Sequence, residues 1–229
     1  MSDRAWEAIF WDIGGVILDV SSVREAHRRF VGWLLEEYDL EQPKGDALEQ
    51  WRSTLGAYFE AREGTEVRAA RIGYDRAVET IVGDPIEWEP RFETILEERI
   101  RPNPHAVETI RELADLECHL GVISDVDTRE GVRILETFGV REAFDSVTTS
   151  EAVGRTKPDP LIFETALEIA GAPADRSLMI GDRYTHDVEG AARVGLTTIA
   201  YGAADGPAVD YRVESLADVP AIVHGERGD

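Results

Sequence analysis

The apolar positions of the chain follow two patterns. Five short runs rich in β-branched residues, 8–11, 120–124, 145–148, 177–180 and 197–200, have the length of single strands. Stretches with the helical spacing of apolar residues lie between the later runs, at 128–138, 160–170 and 186–194. Strands alternating with helices predict βαβ units, which build a parallel sheet covered on both faces. The punctuation agrees. Asp159 is placed to cap a helix that Pro160 opens and Gly171 closes, and Thr185 and Gly195 bracket the next one in the same way.

The rhythm breaks after the first strand. Residues 19–100 contain no convincing strand and read as amphipathic helices at 23–38, 47–62, 67–82 and 88–99. Pro43-Lys44-Gly45 and Gly83-Asp84-Pro85 fall between some of them, and Arg101-Pro102-Asn103-Pro104 punctuates the end of the stretch. An all-helical insert directly after strand one reads as a cap domain; the alternative is an ordinary run of helices on one sheet face, which its length disfavours. The expected architecture is α/β. A discontinuous core with a Rossmann-like parallel sheet, 1–18 and 101–229, carries an inserted all-helical cap domain at 19–100.

Composition narrows the function. Apolar residues make up 43% of the chain, enough for a packed core, so disorder is not expected. No apolar run approaches the ~18–20 residues that span a bilayer. The opening AWEAIFWDIGGVIL has neither basic leader nor small-residue cleavage site and is interrupted by Asp12, so it does not read as a secretory signal. Cys118 is the single cysteine, which excludes an intramolecular disulfide and suits a reducing cytoplasm. Asp and Glu number 46 against 24 Lys and Arg, a net charge of −22 that repels nucleic acid and anionic lipid, so neither is an expected partner. Lys44 and Lys157 are the only lysines; every other basic residue is arginine. An acid-rich, lysine-poor surface suggests a halophilic protein working in molar salt, with an acidic mesophilic enzyme as the alternative.

Four places carry candidate chemistry, each just past a strand, where open parallel sheets bind their ligands. In FWDIGGVILD, Asp12 ends the opening strand and Gly14-Gly15 lets the backbone turn closely around a bound group. A carboxylate there can serve as a nucleophile if cations offset the charge of a phosphate, although an Asp before Gly-Gly is also a common turn residue. In GVISDVD, the Ser124 hydroxyl and neighbouring N–H groups suit a phosphoryl oxygen, or a helix cap. In GRTKPDPLIF, Lys157 is held beside two prolines in a chain that otherwise uses arginine, and an ammonium is a compact point charge for phosphate. In LMIGDRYTHDVEGA, Asp182 and Asp187 offer the hard oxygens Mg²⁺ prefers, while Asp187 alone is also explained as a helix-dipole acid.

In this order, Asp12, Ser124, Lys157 and the Asp182–Asp187 pair resemble the haloacid dehalogenase-like superfamily, with SEAVGRTKPDPLIFETAL and IGDRYTHDVEGAARVG similar to the family throughout. The resemblance covers the core; the insert matches the helical cap in placement and character. It implies a Mg²⁺-dependent hydrolase, expected to be a phosphatase acting on a small phosphorylated metabolite through an aspartyl-phosphate intermediate. Asp12 would attack phosphorus; its carboxylate, the Gly14 carbonyl, Asp182 and Asp187 would hold Mg²⁺; Ser124 and Lys157 would hold the phosphoryl group. A dehalogenase on the same scaffold attacks carbon without a metal, so the acid pair argues for phosphoryl transfer. Two departures stand out. Gly14 occupies the place where family phosphatases usually carry an acid–base Asp, which leaves a binding or regulatory protein with a degraded site as a further alternative. Asp19, Asp127 and His186 are candidate substitutes for that acid. Asp125 replaces the Asn common after the Ser, and would oppose phosphate unless it faces away or pairs with an arginine such as Arg129. Trp33, Trp51, Tyr58 and Trp88 could line a cap pocket, but such aromatics are more often core.

Overall fold

The computed structural model describes residues 6–225. In chain order its regular elements are β1 (Ala8–Trp11), α1 (Val20–Glu37), α2 (Lys44–Glu60), α3 (Ala70–Val82), α4 (Glu89–Arg99), α5 (Ala106–Ala114), β2 (His119–Ser124), α6 (Thr128–Thr137), β3 (Ser146–Thr149), α7 (Ser150–Val153), α8 (Pro160–Ala170), β4 (Ser177–Gly181), α9 (Glu189–Arg193), β5 (Thr197–Tyr201), β6 (Tyr211–Val213) and α10 (Val219–Val223). The chain divides into two compact units, one made of residues 1–19 and 102–229, the other of residues 20–101.

The first unit is a six-stranded sheet in the order β3-β2-β1-β4-β5-β6, with every neighbouring pair parallel. From β1 the chain builds outward to β2 and β3 on one side, then to β4, β5 and β6 on the other. This reversal leaves a crevice at the carboxyl ends of β1 and β4, the place where such sheets bind ligands. Burial follows the pattern of a sheet covered on both faces: all four residues of β1 and all five of β4 are buried. On one face Phe10, Ile123 and Met179 pack against Ile162, Phe163 and Ala166 of α8 and Ala191 of α9. Asp159 accepts the Leu161 N–H at 3.0 Å to cap α8, Pro160 begins it, and Gly171 ends it in a left-handed conformation. Truncating Phe163 to Ala would cost about 3–5 kcal/mol, the usual penalty for an emptied aromatic site.

Four elements of this unit, α5, α7, β6 and α10, lie outside the periodic segments. Another differs in form. The helix expected at 186–194 starts as a π turn, Tyr184–Val188, before continuing as α9. Asp187 therefore sits on a widened turn and not on an α-helical first turn.

The second unit is all helical. Its core joins Phe30 of α1, Trp51 of α2, Ala77 and Val78 of α3, and Phe92 and Ile95 of α4. Phe30–Phe92 and Tyr74–Phe92 ring centroids are 4.8 Å apart, and Trp51 stacks on Tyr74 at 5.8 Å. Trp51 and Trp88 belong to this core and Trp33 packs against it, whereas Tyr58 is buried outside the cluster, its ring under the guanidinium groups of Arg68 and Arg76. His27 is set among the rings, accepting the Trp51 Nε1–H at 3.3 Å through Nδ1. Burial lowers its pKa to about 4, so it is neutral at pH 7. Among the described residues, no helix is long and apolar enough to cross a membrane.

Candidate active site

The site begins where β1 ends. The Asp12 N–H still donates to the Ile180 carbonyl, 3.0 Å away, so Asp12 leaves the sheet at the seam between β1 and β4. The chain then turns back sharply: Gly15 N–H donates to the Leu18 carbonyl at 3.0 Å and Leu18 N–H to the Ile13 carbonyl at 2.8 Å. Asn103 holds this turn from the far end of the helical insertion. Its side-chain amide donates to the carbonyls of Gly15 (2.8 Å) and Val16 (2.9 Å), and its N–H to that of Ile17 (2.8 Å).

Two glycines make room for the acid pair. Gly15 has φ +81°, and a Cβ there would lie 2.0 Å from Asp182 Oδ2, so the Asp182 carboxylate occupies the space a side chain would fill. A Cβ at Gly181 would lie 2.1 Å from the Asp187 Cβ; its absence lets the π turn fold back over the end of β4. Gly14 is different. It has no left-handed φ, and a Cβ placed on it meets nothing within 4 Å. A side chain at position 14 is therefore sterically free.

Asp12, Asp182 and Asp187 converge, with one carboxylate oxygen from each within 4.8 Å of the others. Lys157, fully buried, reaches into the same place: its Nζ lies 3.0 Å from Asp12 Oδ1 and 2.6 Å from Asp187 Oδ1, and donates to the Ile123 carbonyl at 3.0 Å. Ser124, also buried, hydrogen-bonds Asp12. The structure thus brings together Asp12, Ser124, Lys157, Asp182 and Asp187, and places Gly14 in the turn directly after Asp12.

The charges do not balance. Burial raises the Asp12 carboxyl above the usual range, an effect Lys157 opposes and Asp187 reinforces. Asp182 is pushed up to about 7 by burial and by the charges of Asp12 and Asp187. For Asp187, burial is outweighed by Lys157 and by hydrogen bonds, and its pKa falls. Burial alone would lower Lys157, but Asp12, Asp187 and Asp125 raise it, so it stays an ammonium. One lysine thus serves three converging carboxylates. Asp182 Oδ1 is buried with no hydrogen-bond partner among the described residues, which a native structure rarely leaves uncompensated. Three hard oxygens with excess negative charge and one orphaned acceptor fit Mg²⁺.

Asp125 pairs with an arginine, as the sequence suggested, and the partner is Arg183. It accepts the Lys157 backbone N–H at 2.8 Å with one oxygen and the Arg183 guanidinium at 2.8 Å with the other. Of the residues considered as substitute acids, His186 lies in the π turn with its pKa lowered by burial and by Arg183; Asp127 sits at the N-cap of α6.

The haloacid dehalogenase-like hydrolase family matches residues 6–195. The chain belongs to this family. A glyceraldehyde 3-phosphate phosphatase of Methanothermobacter thermautotrophicus is 37% identical over 100 residues, 44% of this chain and 44% of the relative. The chain spans about half the length of the first curated relatives that it matches. A pyrimidine 5′-nucleotidase of Escherichia coli, YjjG, is 27% identical over 228 residues, covering 95% of this chain and 98% of the relative. Among solved structures, a haloacid dehalogenase-like phosphatase from Thermococcus onnurineus superposes with a TM-score of 0.74 at 23% identity, over 97% of this chain and 100% of that one. This likeness establishes the shared fold.

Two residues of the site escaped the sequence reading. Asn103 registered only as punctuation between prolines, and Arg183 was not singled out.

Proposed function

We propose that this chain is a Mg²⁺-dependent phosphatase of small phosphorylated metabolites, with Asp12 as nucleophile. The observation that carries this reading is the convergence of Asp12, Asp182 and Asp187 around one locus, with the Lys157 ammonium bridging Asp12 and Asp187. Asp12, Asp182 and Asp187, with the Gly14 carbonyl, would hold the metal, which when bound offsets charge on the phosphate and on Asp12. Asp12 attacks phosphorus; a P–O bond forms to its carboxylate as the bond to the leaving oxygen breaks. Water then releases phosphate and restores Asp12. Lys157 and Ser124 hold the oxygens of the transferring group while Lys157 keeps Asp12 aligned. The leaving oxygen must gain a proton, and Gly14 supplies none, so substrates whose leaving groups depart unaided are favoured.

The helical unit is read as the family's cap, the protein as cytoplasmic, and its acidic, lysine-poor surface as a halophilic adaptation. Hydrolysis of p-nitrophenyl phosphate with and without Mg²⁺ tests the reading. Activity that needs Mg²⁺ and stops with chelator supports it; halide release from 2-haloacids without metal would replace it with dehalogenase chemistry.

A further inference from the structure

The charge on Asp125 is a feature of the site that the proposed chemistry does not use. An anion one residue beyond Ser124 ought to repel phosphate. Its two hydrogen bonds show another use. Oδ1 takes the backbone N–H of Lys157 from the loop before α8, and Oδ2 takes the guanidinium of Arg183 from the loop after β4. Arg183 is tied to the acid pair in turn, because Asp187 Oδ2 accepts the N–H groups of Asp182 (3.1 Å) and Arg183 (2.9 Å). Asp187 Oδ1 meets Lys157 Nζ. The contacts close a ring through Asp125, Lys157, Asp187 and Arg183, joining residues up to 62 positions apart in sequence.

We propose that Asp125 is a positioning residue. It fastens the lysine loop and the β4 loop to the end of β2, and it fixes where the Arg183 cation stands in the field of Asp12 and Asp187. Both arms matter for different reasons. The Lys157 arm fixes where the ammonium starts, and the position of a charged group acts steeply on rate, since a displacement of about 1 Å can cost ~10²-fold. The Arg183 arm removes a competitor. A guanidinium beside three carboxylates has an attractive alternative to Asp125, and an arginine settled among them would neutralise the charge a metal needs. Asp125 is half-buried and accepts charge-assisted hydrogen bonds on both oxygens, so its own charge is spent on these partners.

This inference rests on the phosphatase reading for its kinetic arm and has a second arm that does not. The experiment compares Asp125→Asn, Asp125→Ala, Arg183→Gln and the double variant Asp125→Ala/Arg183→Gln. For each, kcat and KM are measured on p-nitrophenyl phosphate with Mg²⁺, and hydrogen exchange is measured at the Lys157 amide. Asp125→Asn keeps an acceptor for Lys157 and guards against a variant that fails to fold. Asp125→Ala should lose about 10- to 100-fold in kcat with a smaller change in KM, and its Lys157 amide should exchange faster. Asp125→Asn should keep slow exchange and lose less kcat. Arg183→Gln should lose little, and adding it to Asp125→Ala should recover part of the kcat, because the loosened cation is gone. Wild-type kcat and slow Lys157 exchange in Asp125→Ala would overturn the proposal. A double variant no better than Asp125→Ala would remove its Arg183 half. If the wild type proves inactive on phosphate esters, the phosphatase reading fails, and the exchange of the Lys157 amide still decides whether Asp125 holds the loop.

Discussion

Replacing Gly14 by Asp should convert a phosphatase that depends on its leaving group into one that protonates it. The structure makes this substitution unusually clean. Position 14 has no left-handed φ, and a Cβ there meets nothing within 4 Å. The neighbouring glycine is the contrasting control. Gly15→Ala places a methyl 2.0 Å from Asp182 Oδ2 at φ +81°, so the acid pair must move. The new carboxyl would join a site in which burial and like charges already push Asp182 up to about 7. The same surroundings favour the protonated form that a general acid requires. A positioned general acid contributes ~10²–10⁴-fold, equivalent to about 3–5 kcal/mol of barrier. The expected result is therefore a kcat/KM on simple alkyl phosphates raised by about 10²-fold or more, with little change on p-nitrophenyl phosphate, whose leaving group needs no proton. Melting temperature serves as the folding control, and Gly15→Ala should lose activity on both substrates. The reasoning is refuted if Gly14→Asp melts like the wild type yet leaves alkyl phosphate turnover unchanged. It is also refuted if the wild type already hydrolyses alkyl and aryl esters alike, in which case another residue delivers the proton.

Asp182→Ala should lose most Mg²⁺ affinity by titration calorimetry, and the wild type should bind Mg²⁺ more tightly as pH rises through about 7, because Asp182 must lose its proton to act as a ligand; equal affinity in the variant would move the metal elsewhere. His27 has its folded pKa lowered to about 4 by burial, so the unfolded chain binds the proton more readily, and stability should fall as pH drops from about 6.5 towards 4. The loss attributable to this group is roughly 3 kcal/mol, and the difference between wild type and His27→Gln in denaturant melts should shrink across that window; a constant difference would contradict it. Net charge −22 is self-repulsive, and salt shortens the screening length from ~10 Å at 0.1 M to ~3 Å at 1 M. Melting temperature should rise markedly from low salt to molar KCl, and a flat profile would remove the halophilic reading.

Much of the sheet was legible because its central strands are buried on both faces and read as short runs of apolar and β-branched residues. The observed β1 matches 8–11, and the next four strands differ from the expected runs by a residue or so at their ends. β6 was not legible: its three residues include only one that is buried, Val213, so no run marks it. The π turn escaped for a different reason, since 3.6-residue spacing cannot report a local widening imposed by Asp187 folding back over Gly181. Within the site, Asp12, Ser124 and Asp182 were visible because each lies at the end of a strand, and parallel strands bring those ends together; Lys157, beyond α7, stood out as one of two lysines, held beside prolines. Side-chain pairings were not visible. Asp125 finds Arg183, 58 residues away, and Asn103 finds Gly15 across the whole helical insertion. Such partners depend on how loops meet in space, which periodicity does not encode.

The central claim is that Asp12 takes the phosphoryl group, and one measurement bears on it most directly. The protein is acid-quenched during turnover of p-nitrophenyl phosphate with Mg²⁺, and its peptides are weighed by mass spectrometry, alongside Asp12→Asn treated in the same way. The account predicts one phosphoryl group on the peptide containing Asp12 in the wild type. It predicts none without Mg²⁺, and none in the variant, whose turnover should vanish while its melting behaviour is preserved. An Asp12→Asn protein that keeps more than a few per cent of wild-type turnover would contradict the account.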